Sequence, residues 1–134
     1  MPLNATHAIA SPRGRILIVD DYADARSNLR EALEQLDYEV VEAANGQLAL
    51  HFLVSRASPG VELIVLDLEM PVMNGWQLLD VMNTYFGLRQ IPVLIVSAHP
   101  PRLNQVKHER VVGVLHAPYA MEELTSKIEA LLAH

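Results

Sequence analysis

An apolar run, Leu63-Ile64-Val65-Leu66, ends on Asp67 and then turns through Leu68-Glu69-Met70-Pro71. A short all-apolar run followed by such a turn reads as a buried parallel strand. That reading puts Asp67 at the strand's carboxyl end, where open α/β sheets hold their ligands. Asp67 is therefore a candidate reactive carboxylate. A second run, Ile16-Leu17-Ile18-Val19, also ends on acids, Asp20 and Asp21. Two such strand ends side by side bring three carboxylates into one crevice, which repels itself unless protons or a hard cation neutralise it. Mg²⁺ is the expected occupant.

The elements that must position these acids alternate along the chain. Apolar runs predict strands over 15–19, 39–43, 62–66, 92–97 and 111–115. Leu29, Leu33 and Leu36 share one helical face, and Leu48, Phe52 and Leu53 repeat that spacing before Ser58-Pro59-Gly60 stops the second helix. A third helix starts near Gly75, carries Leu78, Leu79 and Met82, and is expected to reach a C-cap at Gly87. The fourth, over 101–109, has only Leu103 and Val106 as anchors, with Pro100-Pro101 stiffening its entry. Met121, Leu124, Ile128, Leu131 and Leu132 define an amphipathic fifth. The pattern is α/β, a (βα)5 domain on a parallel sheet.

With 134 residues the chain fits one domain, expected over 14–134 behind a loose arm at 1–13. It has no cysteine, hence no disulfide or thiolate metal site. No apolar run nears the roughly 18 residues of a membrane helix, and the start lacks a signal-peptide pattern. A cytoplasmic location with no membrane partner is expected. The net charge of −6, with scattered basic residues, argues against nucleic acid as a direct partner. The histidines His7, His51, His108 and His134 show no metal-ligand spacing.

Taken in order, Asp20-Asp21, Asp67 with Met70-Pro71 and Gly75, Ser97-Ala98 and Pro118-Tyr119 each follow a strand. This series resembles the receiver domain of bacterial two-component response regulators, over about residues 14–133. The resemblance implies a flavodoxin-like sheet of order 2-1-3-4-5 with helices on both faces. It implies that Asp67 accepts a phosphoryl group from a histidine kinase or histidine phosphotransfer protein. It also implies Mg²⁺ held by Asp20, Asp21, Asp67 and the backbone carbonyl of Glu69, and a hydroxyl from Ser97 to a phosphoryl oxygen. Such a protein is a phosphorelay component rather than an enzyme. It signals to a downstream protein through the 4-5-5 face of fourth helix, fifth strand and fifth helix, or to a second copy as a homodimer.

The sequence departs from that family at two places. Ala117 stands where the family carries a lysine before the strand-five proline, and Val114 where a switch aromatic is expected. Side chains that could modulate the site or replace the lysine are Glu69, His99, Arg102 and His116, although strand alternation points His116 away from Ala117. Trp76 and Tyr119 read as packing residues. The alternative reading is a degenerate receiver, an interaction module independent of phosphorylation. An aspartyl phosphatase of the haloacid-dehalogenase type is disfavoured, because Asp20-Asp21-Tyr22 lacks the Asp-x-Asp arrangement.

Overall fold

A computed structural model describes residues 12–55 and 60–133. Five parallel strands, β1 (Arg15–Val19), β2 (Glu39–Ala43), β3 (Val61–Asp67), β4 (Val93–Ser97) and β5 (Val111–His116), form one sheet of order β2-β1-β3-β4-β5. Four helices accompany them: α1 (Ala23–Gln35), α2 (Gly46–Val54), α3 (Gly75–Met82) and α4 (Met121–Leu132). The architecture is the flavodoxin-like one, with the order reversing between β1 and β3.

Because side chains alternate across a strand, the apolar runs bury both sheet faces. Leu17, Val19, Ile64, Leu66, Val93 and Ile95 pack with α2 and α3. Ile16, Ile18, Leu63, Val65 and Leu94 pack with α1 and α4. No helix among the described residues is long and apolar enough to cross a membrane.

Local chemistry sets the helix ends. After α1, Asp37 adopts a positive φ of 70°, its N–H donates to Glu34 O at 3.0 Å, and the Tyr38 N–H donates to Leu33 O at 3.1 Å. This is a Schellman stop, closed by Tyr38 packing into the same core as Leu33. At the start of α3, Asn74 and Gln77 form a capping box, each side chain accepting the other's main-chain N–H at 2.9 Å.

Three expectations are corrected. The helix over 101–109 is absent: only a 3₁₀ turn, Leu103–Gln105, interrupts the connection from β4 to β5. Pro100 and Pro101 withhold amide donors at its entry, and two apolar anchors bury too little to hold a helix. The surface expected to combine a helix after β4 with the fifth strand and the last helix is left with β5 and α4 alone. Second, α3 ends at Met82, and Gly87 lies in a separate 3₁₀ turn, Phe86–Leu88, rather than at a C-cap. The Thr84 and Tyr85 amides switch to bonds with Val81 and Met82, three residues back, and the Thr84 hydroxyl also donates to Val81 O. Third, α2 buries Ala49 and Leu53 while Leu48 is 52% exposed. The helix is apolar almost all round, so its pattern does not choose a face. It ends at Val54; the Ser58-Pro59 part of the expected stop lies outside the described residues, as do His7, His134 and residues 1–11 of the expected arm.

The connection lacking a helix is fastened at its far end instead. Arg110, buried before β5, donates to Leu79 O at 3.3 Å and to the Asn83 side chain, so it caps the last turn of α3. Burial lowers its pKa. Asn83 also meets His108 Nδ1 at 3.1 Å, and His108 Nε2 lies 3.2 Å from Asp80.

Candidate functional site

The site sits where the carboxyl ends of β1, β3 and β4 meet, at the switch point of the sheet. Asp67 is the last residue of β3, half-buried, and its Oδ1 accepts the Glu69 N–H at 3.2 Å. Asp20 follows β1 and accepts the Tyr22 N–H at 2.9 Å, so it steers the chain into α1 while still facing the crevice. Asp21 is exposed beside it. Each of Asp20, Asp21 and Asp67 offers a carboxylate oxygen within 4.8 Å of the others.

The electrostatics follow from this crowding. Burial pushes the Asp67 pKa up to about 6, the Glu69 N–H opposes that rise, and the Asp20, Asp21 and Glu69 carboxylates add to it. Asp20 is raised as well, by burial first and by Asp21 after the opposing Tyr22 N–H. Three hard oxygen donors converging without a matching cation fit a small divalent ion such as Mg²⁺, and they fit no thiolate- or imidazole-preferring metal.

Turn chemistry holds the acids in place. Gly75 donates its N–H to Leu68 O at 2.9 Å, and an added Cβ there would lie 2.7 Å from Asp67 O. Only glycine lets α3 start so close to the strand end. Gly46, at the start of α2, donates to Met73 O at 3.0 Å, and its Cβ would lie 2.7 Å from that oxygen. Between these anchors Val72 has a φ of 68°, and the Met73 N–H reaches back to Pro71 O at 2.7 Å. This is the rare positive-φ γ-turn, here centred on a β-branched residue.

Ser97 ends β4, is only 2% exposed, and accepts the His99 N–H on its Oγ at 3.0 Å. The Ala117 N–H donates to Ser97 O at 2.8 Å, so residue 117 lies directly beside it. A cleft of about 460 Å³ opens here, lined by Leu68, Glu69, Met70, Pro71, Asn74, Trp76, Ser97 and His99. Of the expected modulators, Glu69 and His99 share this cleft. Arg102 and His116 are exposed and do not line it. Val114 is partly buried against the core on the α3 side.

One residue near the site, Arg26, escaped the sequence reading, and Tyr119, expected only to pack, also faces the site. Arg26, one turn into α1, donates to the Asp20 main-chain carbonyl at 2.6 Å and pairs with Glu42 at 3.1 Å. A basic residue one helical turn past an acidic pair is the signal that could have found it. Tyr119 packs against the α1–α4 core and also lines a small cavity with Asp20 and Asp67. Burial raises its pKa, and the Asp20 and Asp67 charges raise it further.

Comparison with known proteins places this geometry. The model of the response regulator receiver domain matches residues 16–129. The sensor histidine kinase TmoS of Ectopseudomonas mendocina is 34% identical over 125 residues, covering 92% of this chain and 12% of that protein. The transcriptional regulatory protein CpxR of Escherichia coli K12 is 31% identical over 125 residues, covering 88% of this chain and 49% of that protein. This chain thus spans about half, or much less, of these relatives. The crystal structure of the response regulator TrrA from Thermotoga maritima, in complex with Mg²⁺–BeF, superposes with a TM-score of 0.72 at 25% identity, covering 88% of this chain and 98% of that one. With the fold, the strand-end acids and a family match over most of its length in agreement, the chain belongs to the response regulator receiver domain family of two-component signalling modules.

Proposed function

We propose that this chain is a phosphorelay component whose Asp67 accepts a phosphoryl group from a phosphohistidine of a kinase or phosphotransfer protein. The observation that carries the reading is the convergence of Asp20, Asp21 and Asp67 within 4.8 Å at the strand ends. An Asp67 carboxylate oxygen attacks phosphorus; the O–P bond forms as the N–P bond of the donor breaks. The electron pair stays on the donor imidazole, which takes a proton from solvent. Asp20, Asp21, Asp67 and the Glu69 carbonyl would hold Mg²⁺, which supplies charge neutralisation for the phosphoryl oxygens. Ser97 would donate a hydrogen bond from its hydroxyl to a phosphoryl oxygen, since its Oγ accepts the His99 N–H and leaves the hydroxyl hydrogen for that contact. Glu69 and His99 flank the cleft and modulate the lifetime of the aspartyl phosphate. The domain over 14–134 then signals by protein contact through β5 and α4, with the soluble interior of the cell as its site of action.

Incubation with a small phosphodonor and Mg²⁺, followed by intact mass, tests the assignment. One phosphoryl group is expected on the wild type and none on Asp67→Asn; modification of Asp67→Asn would refute the acceptor. A second reading, a module that binds partners without phosphorylation, draws support from Ala117 beside Ser97 and from the single 3₁₀ turn between β4 and β5. A wild type that stays unmodified would favour it.

A further inference from the structure

Asp67 lies among carboxylates: Asp20 and Asp21 offer oxygens within 4.8 Å of its own, and the Glu69 charge adds to theirs. Arg26, which reaches the Asp20 main-chain carbonyl, also pairs with Glu42. Other arginine ion pairs, at Arg13, Arg15 and Arg30, run to Glu129, Glu39, Glu34 and Glu42, away from the site. At residue 117, where a side chain could reach the Ser97 region from β5, the chain carries only a methyl group. A phosphoryl group on Asp67 would add further negative charge to this surface.

The cleft beside it has a matching shape and chemistry. Leu68, Met70, Pro71 and Trp76 give it apolar walls, Trp76 is 38% exposed, and Glu69 supplies a carboxylate. An apolar wall beside an aromatic face and an acid is the environment that suits a long aliphatic stem with a cationic head. The cleft is open to solvent.

We propose that this cleft receives a lysine or arginine side chain of the phosphoryl-donating partner protein, which supplies in trans a positive charge that, among the described residues, is not placed beside Asp67. Delivery of a cation by a partner is an established device in phosphoryl transfer. Here it makes the reaction depend on a docked partner. The proposal rests on Asp67 being the phosphoacceptor.

The test uses the full chain with phosphoramidate and Mg²⁺, and n-butylguanidinium as a stand-in for the partner's side chain. Phosphorylation of Asp67 is followed by intact mass, and occupancy of the cleft by the fluorescence of Trp76, the one tryptophan. The expected result is a saturable acceleration of about fivefold over equal ionic strength of sodium chloride, the scale of a charge-assisted contact reduced by the entropy cost of a free ligand. A Trp76 change should saturate at the same concentration. Ala117→Lys, which provides the cation in cis, should react faster alone and lose the response.

Phosphorylation on Asp67 that guanidinium does not accelerate beyond sodium chloride would overturn the proposal and leave the acceptor assignment standing. A rate that falls about tenfold in His99→Ala or Arg102→Ala without guanidinium would place the charge in cis and also overturn it. No phosphorylation of Asp67 under any condition would remove the acceptor assignment, and this proposal with it.

Discussion

Gly75 and Asp67 are packed main chain to main chain: a Cβ on Gly75 would stand 2.7 Å from Asp67 O and 2.8 Å from Leu68 Cα. The start of α3 therefore acts as a stop against which the β3 end carrying Asp67 is set. Gly75→Ala must push α3 or the β3 end aside, at a cost of about 1–3 kcal/mol for overpacking. Urea denaturation should show that loss, and phosphorylation of the folded fraction should slow, because Asp67 moves with the strand end.

Stability should also report the charge on Asp67. The native state keeps this proton up to about pH 6, whereas the unfolded chain releases it near the ordinary value of 3.8. Between those values the native state binds more protons, so stability falls as pH rises through the window and stays lower above it. Asp20 acts in the same direction. In chelator, Asp67→Asn should melt higher than wild type at pH 7.5, by on the order of 1 kcal/mol after solvent screening, and show a flatter profile from pH 4 to 6.

A divalent cation should cancel that penalty. A ligand that binds only the native state stabilises it by about 2.7 kcal/mol at a hundredfold excess over Kd. Wild-type melting is expected to rise with millimolar Mg²⁺ at pH 7.5 and to stay level in Asp21→Asn. A flat wild-type curve would remove the metal from this site.

Val72 is 73% exposed and holds a left-handed φ of 68°. A β-branched side chain in this sparsely populated region costs on the order of 1–3 kcal/mol. Val72→Asn should raise stability by about 1 kcal/mol in thermal melts, since asparagine tolerates this region. Val72→Gly should gain less because of its greater freedom when unfolded.

How much of this was legible in the sequence depended on how sharply each segment specified its partner surface. The runs at 15–19 and 39–43 match β1 and β2 residue for residue, because apolar content bounded by polar residues leaves a buried strand one register. The junctions that place Asp20, Asp67 and Ser97 at strand ends followed from the same boundaries. The buried face of α2 could not be read, since apolar residues surround that helix and the sheet decides which side is covered. The missing helix between β4 and β5 was foreshadowed by its two anchors, but the fastening of Arg110 to Asn83 joins residues far apart in sequence and has no local signature. The cleft was equally invisible, as it is lined by the β3–α3 junction together with Ser97 and His99, segments far apart in sequence.

The bare connection between β4 and β5 also leaves the molecule with a seam. Residues 98–109 lie outside the ladder and include the exposed Arg102, Leu103, Asn104, Gln105 and Lys107, the kind of backbone a protease can draw into its active site. Trypsin should nick there first, at Arg102 or Lys107. The released segment would carry β5 and α4, whose Leu115, Leu124 and Ile128 are almost wholly enclosed by the rest of the protein. The two fragments should therefore co-elute as a nicked but folded complex, and separately expressed halves should reassemble when mixed.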